Sequence, residues 1–290
     1  MQQEPLFGFL NVYKPKGMTS HDVVSRMRRI TKIKQIGHTG TLDPFAEGVL
    51  PICIGKSTRL IEYLADDKEY LATVKFGVTT DSYDLDGTIV KTSDVKITED
   101  DVLNALPQFR GEISQLPPIY SAIKVKGKKL YEYARAGEEV KIEARQVFIE
   151  KLELVRFSET EQVAEVLVKC SKGTYIRSIA HDLGEVLGCG AHLVKLIRTQ
   201  AGRFFINNST NLEEFQGKDV VNMKLINPIE MLDYPKVLVN EDELIKIKNG
   251  VAIENKNGIK VNEVVILINN DIIRAVGVAD NKKILIKKVF

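Results

Sequence analysis

The sequence predicts an α+β protein: a mixed, mainly antiparallel sheet with flanking helices, followed by a small C-terminal β-rich domain. Three observations carry this reading. Stretches with two-residue alternation are interleaved with stretches of helical spacing. Val147 to Phe157 and Val163 to Cys170 are β-rich runs separated by a polar turn, the pattern of an antiparallel hairpin. After Asn227-Pro228 and Tyr234-Pro235 the texture changes to the short runs VAIE, EVVILIN, IIRAVGVA and KILIKKV, broken by Asn, Gly and Asp. The expected division is therefore a larger domain over 1–233 and a smaller one over 236–290.

Taken in order, Gly8 to Tyr13 reads as a strand. After the KPKG turn, Ser20 can cap a helix whose Val23, Val24, Met27 and Ile30 share one face, while its other face is basic. Val49 to Ile54 is an apolar run expected as a buried strand, and Ser57 or Thr58 can start a helix through Leu64. Glu69 to Phe76 alternates strictly, which puts Tyr70 with Ala72, Val74 and Phe76 on the apolar face. Thr98 and Asp101 have capping-box spacing for a helix through Leu106. Thr174 can cap a further helix with Ile176, Ile179, Ala180, Leu183 and Leu187 on one side, ended by Gly188 and Gly190.

Composition narrows the function classes. Of the 290 residues, 41 are Lys or Arg and 39 Asp or Glu, a net charge of +2, so a polyanionic partner must be met by local basic patches. The 44% hydrophobic and 28% charged shares are those of a globular chain rather than a disordered one. Cys53, Cys170 and Cys189 are far apart and lack any CxxC, so no disulfide framework or zinc knuckle is expected. The start, MQQEPLFGFLNVYKPKG, lacks a signal-peptide pattern, and no apolar stretch approaches membrane-spanning length. A cytoplasmic location and no membrane association are the expectation.

Several motifs fail on inspection. GVLPICIGKS has Leu50 where a Walker A loop needs its first glycine. GCGAHL has Leu193 in place of the third glycine of a dinucleotide fingerprint and follows a helix instead of a strand. DSYDLDG has Ser82 and Ser93 at calcium-ligand positions and reads as a turn. His21, His38, His181 and His192 have no HExxH spacing. Neither a metal nor a cofactor is expected.

In GHTGTLDPFAEGVL, Gly37, Gly40 and Gly48 surround one aspartate, and Pro44 pushes Asp43 into extended backbone, displaying it on a loop. Asp-Pro is also an ordinary turn initiator, and the tetrapeptide alone leaves both readings open. Arg177 falls in the first turn after Thr174, where the helix dipole disfavours a cation. An anion should compensate it, although a surface arginine beside Asp182 or Glu185 would fit the spacing too.

The blocks NVYKPKGMTSHDVV, GHTGTLDPFAEGVLPICIGKSTRLIEYL, KEYLATVKFGVTTDSYDLDG, QLPPIYSAIKVKGKKLYEYARAG and GTYIRSIAHDLGEVLGCGAHLVKLIRTQAG run in order from Leu10 to about Gly202. Together they resemble the bacterial tRNA pseudouridine-55 synthases of the TruB type, and the tail resembles that family's PUA domain. The resemblance implies the pseudouridine synthase fold with an RNA-binding insertion over about 117–145, and isomerisation of one uridine in the T-arm of tRNA, with no cofactor and no obligatory protein partner. It also implies Asp43 as the catalytic carboxylate, Arg177 as its ion-pair partner and Tyr70 as the aromatic residue over the target base. Tyr70 could take part in proton transfer, as a base only if its surroundings lower its pKa. Tyr175 and Leu196 match the remaining pocket positions, and His38 a residue associated with nucleotide flipping.

A base must leave its stack for such chemistry, and the RNA backbone needs cations. Lys14, Lys16, Arg26, Arg28, Arg29, Lys32 and Lys34 lie in a stretch whose only acid is Asp22, and Lys124, Lys126, Lys128 and Lys129 are interleaved with tyrosines in the insertion. Both patches suit phosphate contact, and each taken singly also suits a solvated face. Two other readings stand beside the leading one. One is a guide-RNA-dependent synthase of the dyskerin class, which carries a similar GH-x-GTLDP loop. The other is an RNA-binding or RNA-folding protein without essential catalysis.

Overall fold

The computed structural model describes residues 6–256 and 258–290. The first five residues of the segment read for a leader lie outside them. The chain opens with β1 (Gly8–Lys14) and α1 (Ser20–Thr31), then β2 (Ile36–His38), β3 (Glu47–Ile54), β4 (Lys68–Phe76), β5 (Val78–Thr80) and β6 (Ile89–Thr92). Next come α2 (Glu99–Ala105), β7 (Gly111–Gln115), β8 (Lys124–Val125), β9 (Lys128–Lys129), α3 (Leu130–Ala136), β10 (Arg145–Ser158) and β11 (Val163–Cys170). Then follow α4 (Ile176–Val186), β12 (Ala191–Ala201), β13 (Phe204–Phe205), β14 (Thr210–Asn211), α5 (Lys218–Met223) and α6 (Pro228–Met231). The tail holds β15 (Lys236–Leu238), α7 (Glu241–Lys248), β16 (Ile253–Glu254), β17 (Val264–Asn269), β18 (Ile272–Ala279) and β19 (Lys283–Val289).

The main sheet has the order β14-β1-β3-β12-β4-β11-β10-β7, with β2 on β3 and β13 on β12. All its pairings are antiparallel except β1 with β14 and β3 with β12. The alternation in β4 holds: Tyr70, Ala72, Val74 and Phe76 are buried in one core with the apolar faces of α1, α2 and α4. The tail forms a separate sheet, β15-β17-β18-β19-β16. A second apolar cluster joins the two sheets through Phe9, Val49, Leu60 and Phe204 on one side and Ile266, Ile268, Ile273 and Val276 on the other. Arg59 reinforces that joint by donating to the Val289 carbonyl at 2.8 Å beside the Phe290 ring.

The expected caps need correction. Thr19, not Ser20, caps α1, because it forms the reciprocal box with Asp22 three residues on. Thr174 does not cap α4: Tyr175 holds the cap position, while the Thr174 hydroxyl donates to the Ser171 carbonyl at 2.9 Å. Gly55–Tyr63 is a 3₁₀ helix rather than an α-helix starting at Ser57 or Thr58, and the Ser57 hydroxyl turns inward to the Gly8 and Ile54 carbonyls. The tail also contains α7, which the β-run reading omitted.

Gly48 is required by contact as well as by conformation. Its φ is +106°, and a Cβ there would lie 2.3 Å from the Arg198 carbonyl oxygen where β3 meets β12. Gly48→Ala is expected to lower stability by roughly 3 kcal/mol in chemical denaturation, through left-handed strain plus overpacking. An unchanged unfolding midpoint would contradict that close approach.

Candidate active site

The loop between β2 and β3 carries Asp43, and the start of α1 grips it. The Ser20 hydroxyl accepts from the Leu42 amide at 2.8 Å and donates to the Leu42 carbonyl at 3.1 Å. The Pro44 carbonyl accepts from the Gly17 amide at 2.8 Å and from Lys14 Nζ at 3.4 Å. Asp43 is therefore held on both flanks, with its side chain still 33% exposed where it lines the cavity.

Arg177 is buried, which removes the reading of a surface arginine beside Asp182 or Glu185. Its Nη2 donates to Asp43 Oδ1 at 3.3 Å, and its Nε lies 3.0 Å from Asp43 Oδ2 as an ion-pair contact outside hydrogen-bond alignment. Nη1 donates to Asp84 Oδ2 at 3.1 Å and to the Ser82 carbonyl at 3.2 Å, while Nη2 also donates to the Tyr120 carbonyl at 3.0 Å. One guanidinium thus serves two carboxylates, as its planar fork permits. The turn read as structural, DSYDLDG, is what supplies Asp84. Tyr83 anchors that turn by stacking on His181 of α4, ring centroids 3.9 Å apart.

Burial pushes the Asp43 carboxyl above the ordinary carboxylate range. Arg177 and Lys14 pull it back, and Asp84 adds to the rise. Burial also raises the Tyr70 phenol, against an opposing pull from Arg198, so Tyr70 stands as a neutral phenol. The condition for Tyr70 as a base, a lowered pKa, is not met.

A cavity of 650 Å³ brings together Asp43, Tyr70, Arg177, Tyr175, Leu196 and His38. Tyr70 and Leu196 face it from the adjacent strands β4 and β12. Tyr175 is fixed by its backbone: Gln115 Oε1 accepts from its amide at 2.8 Å, and Gln115 Nε2 donates to its carbonyl at 3.0 Å. His38 Nδ1 is buried without a hydrogen-bond partner, and burial lowers the imidazole's pKa. Among the described residues, no group of His, Cys, Asp and Glu converges to hold a metal ion, and no helix is long and apolar enough to cross a membrane.

The cation assignments divide. Lys14 is corrected: it is fully buried, its Nζ donates to the Pro15 and Met18 carbonyls at 2.9 and 2.7 Å, and burial brings its pKa down to about 8. It supports the Asp43 loop from behind and cannot meet a phosphate. Arg28 is half-buried and donates to the Ile36 carbonyl at 3.0 Å. Lys16, Lys124 and Lys126 are exposed. Lys128 pairs with Glu138 at 2.8 Å, and Lys129 lies over the Tyr131 ring at 5.3 Å.

Sequence reasoning missed Asp84, Gln115 and Arg198. For Arg198 a signal existed: it shares parity with Leu196 along a strand whose inward positions are apolar.

Residues 28–176 match the TruB family pseudouridylate synthase N-terminal domain model, and residues 177–232 the tRNA pseudouridylate synthase B C-terminal domain model. The chain is 45% identical over 287 residues to tRNA pseudouridine synthase B of Caldanaerobacter subterraneus subsp. tengcongensis, covering 98% of this chain and 99% of that one. It is 43% identical over 271 residues to the protein of the same name from Clostridium tetani, covering 91% and 92%. Among solved structures it is similar to a chain of a Cbf5-Nop10-Gar1 complex, with TM-score 0.72 and 28% identity, covering 98% of this chain and 84% of that one.

Proposed function

Because the chain belongs to the TruB pseudouridylate synthase family, we propose that it isomerises uridine-55 in the T-arm of tRNA to pseudouridine, in the cytoplasm and without metal or cofactor. The observation that carries this reading is one carboxylate, Asp43, gripped by a buried arginine and left partly open to an aromatic-lined cavity. The cavity has room for a flipped nucleotide.

The reaction breaks the C1′–N1 bond, turns the uracil and joins C1′ to C5. C5 loses a proton and N1 gains one, so nothing is oxidised or reduced. Attack of Asp43 on C1′, attack on C6 and removal of the C2′ proton each meet that balance, and each requires the ionised carboxylate. Arg177 keeps Asp43 ionised against its burial and fixes its direction. Tyr70, Tyr175 and Leu196 hold the flipped base, and His38 acts at the flipping step.

Lys16, Arg28, Lys124, Lys126, Lys128 and Lys129 meet the RNA backbone, the insertion over about 117–145 closing on the T-arm. The division stays at 1–233 and 236–290, with the tail a PUA-like RNA-binding domain. The enzyme works on bare tRNA without a protein partner. Incubating purified protein with an unmodified tRNA transcript and a chelator, then mapping pseudouridine, should find it at position 55. No product, or product only after adding a guide RNA, would refute the reading.

Tyr70→Phe keeps the ring and removes the hydroxyl. Single-turnover isomerisation is expected to slow by roughly 100-fold with tRNA affinity retained, since the hydroxyl acts in the chemical step. A wild-type rate would reduce Tyr70 to a stacking platform.

A further inference from the structure

Lys68 opens β4 two residues before Tyr70, and their shared parity puts both side chains on one face of the strand, where both line the cavity. The stem of Lys68 packs against the loop that carries Asp43: a Cβ on Gly40 would lie 3.2 Å from Lys68 Cε, so the glycine leaves the stem room. Gly40 is itself fixed, its carbonyl accepting from Arg198 Nη2 at 3.1 Å. Lys68 Nζ donates to the Asp66 carbonyl at 3.0 Å, and among the described residues no carboxylate comes within ion-pair distance of it. The Asp66 carboxylate is taken by Lys172 instead, at 2.6 Å. Of the three donors of this half-buried ammonium, two are left without a protein acceptor beside the cavity. Burial lowers its pKa, Arg198 lowers it further and Asp66 opposes, so the charge is destabilised until an anion arrives. Bracing the Gly40 loop needs only the aliphatic stem, which methionine would supply without a charge.

Uracil and ribose are neutral, so the anions a uridine brings to this cation are its phosphates. Residues two apart on one strand face stand about 7 Å from each other, a span comparable to that between a base and the phosphate of its own nucleotide. A base over Tyr70 therefore carries a phosphate to Lys68. We infer that Lys68 binds one of the two phosphates flanking the flipped uridine, a contact made only once the nucleotide has left the RNA stack. This rests on the pseudouridine synthase reading above. Lys16, Lys124 and Lys126 are exposed and can meet the backbone before flipping, whereas Lys68 sits inside the cavity and can meet only a nucleotide that has entered it. Flipping gives up stacking and pairing, and the ion pair at Lys68 offsets part of that loss in the flipped state alone.

The test is a cycle that changes protein and substrate together. Full-length protein is given tRNA transcripts ligated to carry a neutral methylphosphonate on the 5′ or the 3′ side of the target uridine, and single-turnover rate at subsaturating enzyme is read beside thermal midpoint. Lys68→Met keeps a stem against Gly40 and removes the charge, and is expected to lower the rate on the ordinary transcript about 30-fold, the scale of a hydrogen bond between charged groups. One of the two methylphosphonates should slow the wild type to a similar degree. On that transcript Lys68→Met should cost less than about threefold more, because the charge it meets is already gone. On the other transcript the full effect of Lys68→Met should remain. If Lys68 only braces the Gly40 loop, its loss would be equal on all three transcripts, and the inference fails. Lys68→Gln repeats the cycle should Lys68→Met not fold, and wild-type rates unaffected by either methylphosphonate would overturn the inference by themselves. Wild-type protein that makes no pseudouridine in the ordinary transcript would sink the functional reading itself, whereas active wild type with additive changes sinks only the role of Lys68.

Discussion

Asp43→Asn is expected to slow single-turnover isomerisation by roughly 10⁴-fold, the scale on which enzymes lose rate when a principal reacting group is removed. The amide keeps the size of the carboxylate and can still meet Arg177, so the loop held by Ser20 and Lys14 should stay in place. What disappears is the negative charge, which every route through C1′, C6 or C2′ requires. tRNA affinity should change by less than about threefold, because phosphate contacts set affinity and the surface lysines are untouched. Stability should not fall much either, since the variant replaces a charge whose burial is unfavourable. Rate and affinity are measured with enzyme in excess over labelled transcript. A variant retaining more than about 1% of the rate would remove Asp43 from the chemistry.

How far the site could be read beforehand depended on whether each constraint was local. The Tyr70 face followed from two-residue alternation, which the strand obeys. The helix capped by Thr98 followed from its spacing to Asp101, a contact spanning only three residues. Arg177 was legible because it breaks a local rule, a cation at a helix start, and such breaks mark functional sites. The same rule could not find Asp84, which lies 93 residues away from Arg177 inside a turn that looks complete by itself. Lys14 was misread because composition groups it with neighbouring cations, yet β1 is buried on both faces and Lys14 shares the parity of Leu10 and Val12. At α1 two adjacent hydroxyls could cap, and the Asp22 spacing that selects Thr19 frees Ser20 to hold the loop that carries Asp43.

Exchanging Arg177 should alter both the rate and its pH dependence. Lysine retains the charge but cannot hold two oxygens of Asp43 and one of Asp84 at once, so Arg177→Lys is expected to lose about 100- to 1000-fold in rate. The pH profile separates charge from geometry. Asp43 must be ionised to act, and its carboxyl already sits above the ordinary range through burial, so the acid limb of wild-type activity lies above that range as well. Arg177 is the largest opposing influence on it. Arg177→Gln should therefore move the acid limb further up, and Arg177→Lys should move it less. Asp84→Asn should move the limb down, because it removes an anion that adds to the rise, even though the rate falls as Arg177 loses a partner. Linkage gives a matching sign for folding: a raised native pKa means the folded state binds the Asp43 proton more tightly. That contribution to stability is present at low pH and lost as pH rises through the native pKa, and Arg177→Gln should enlarge the loss. Single-turnover rates from pH 5 to 9, with denaturation midpoints at the ends of that range, would measure both. An acid limb that stays fixed in Arg177→Gln and Asp84→Asn alike would show that these charges do not set the ionisation of Asp43.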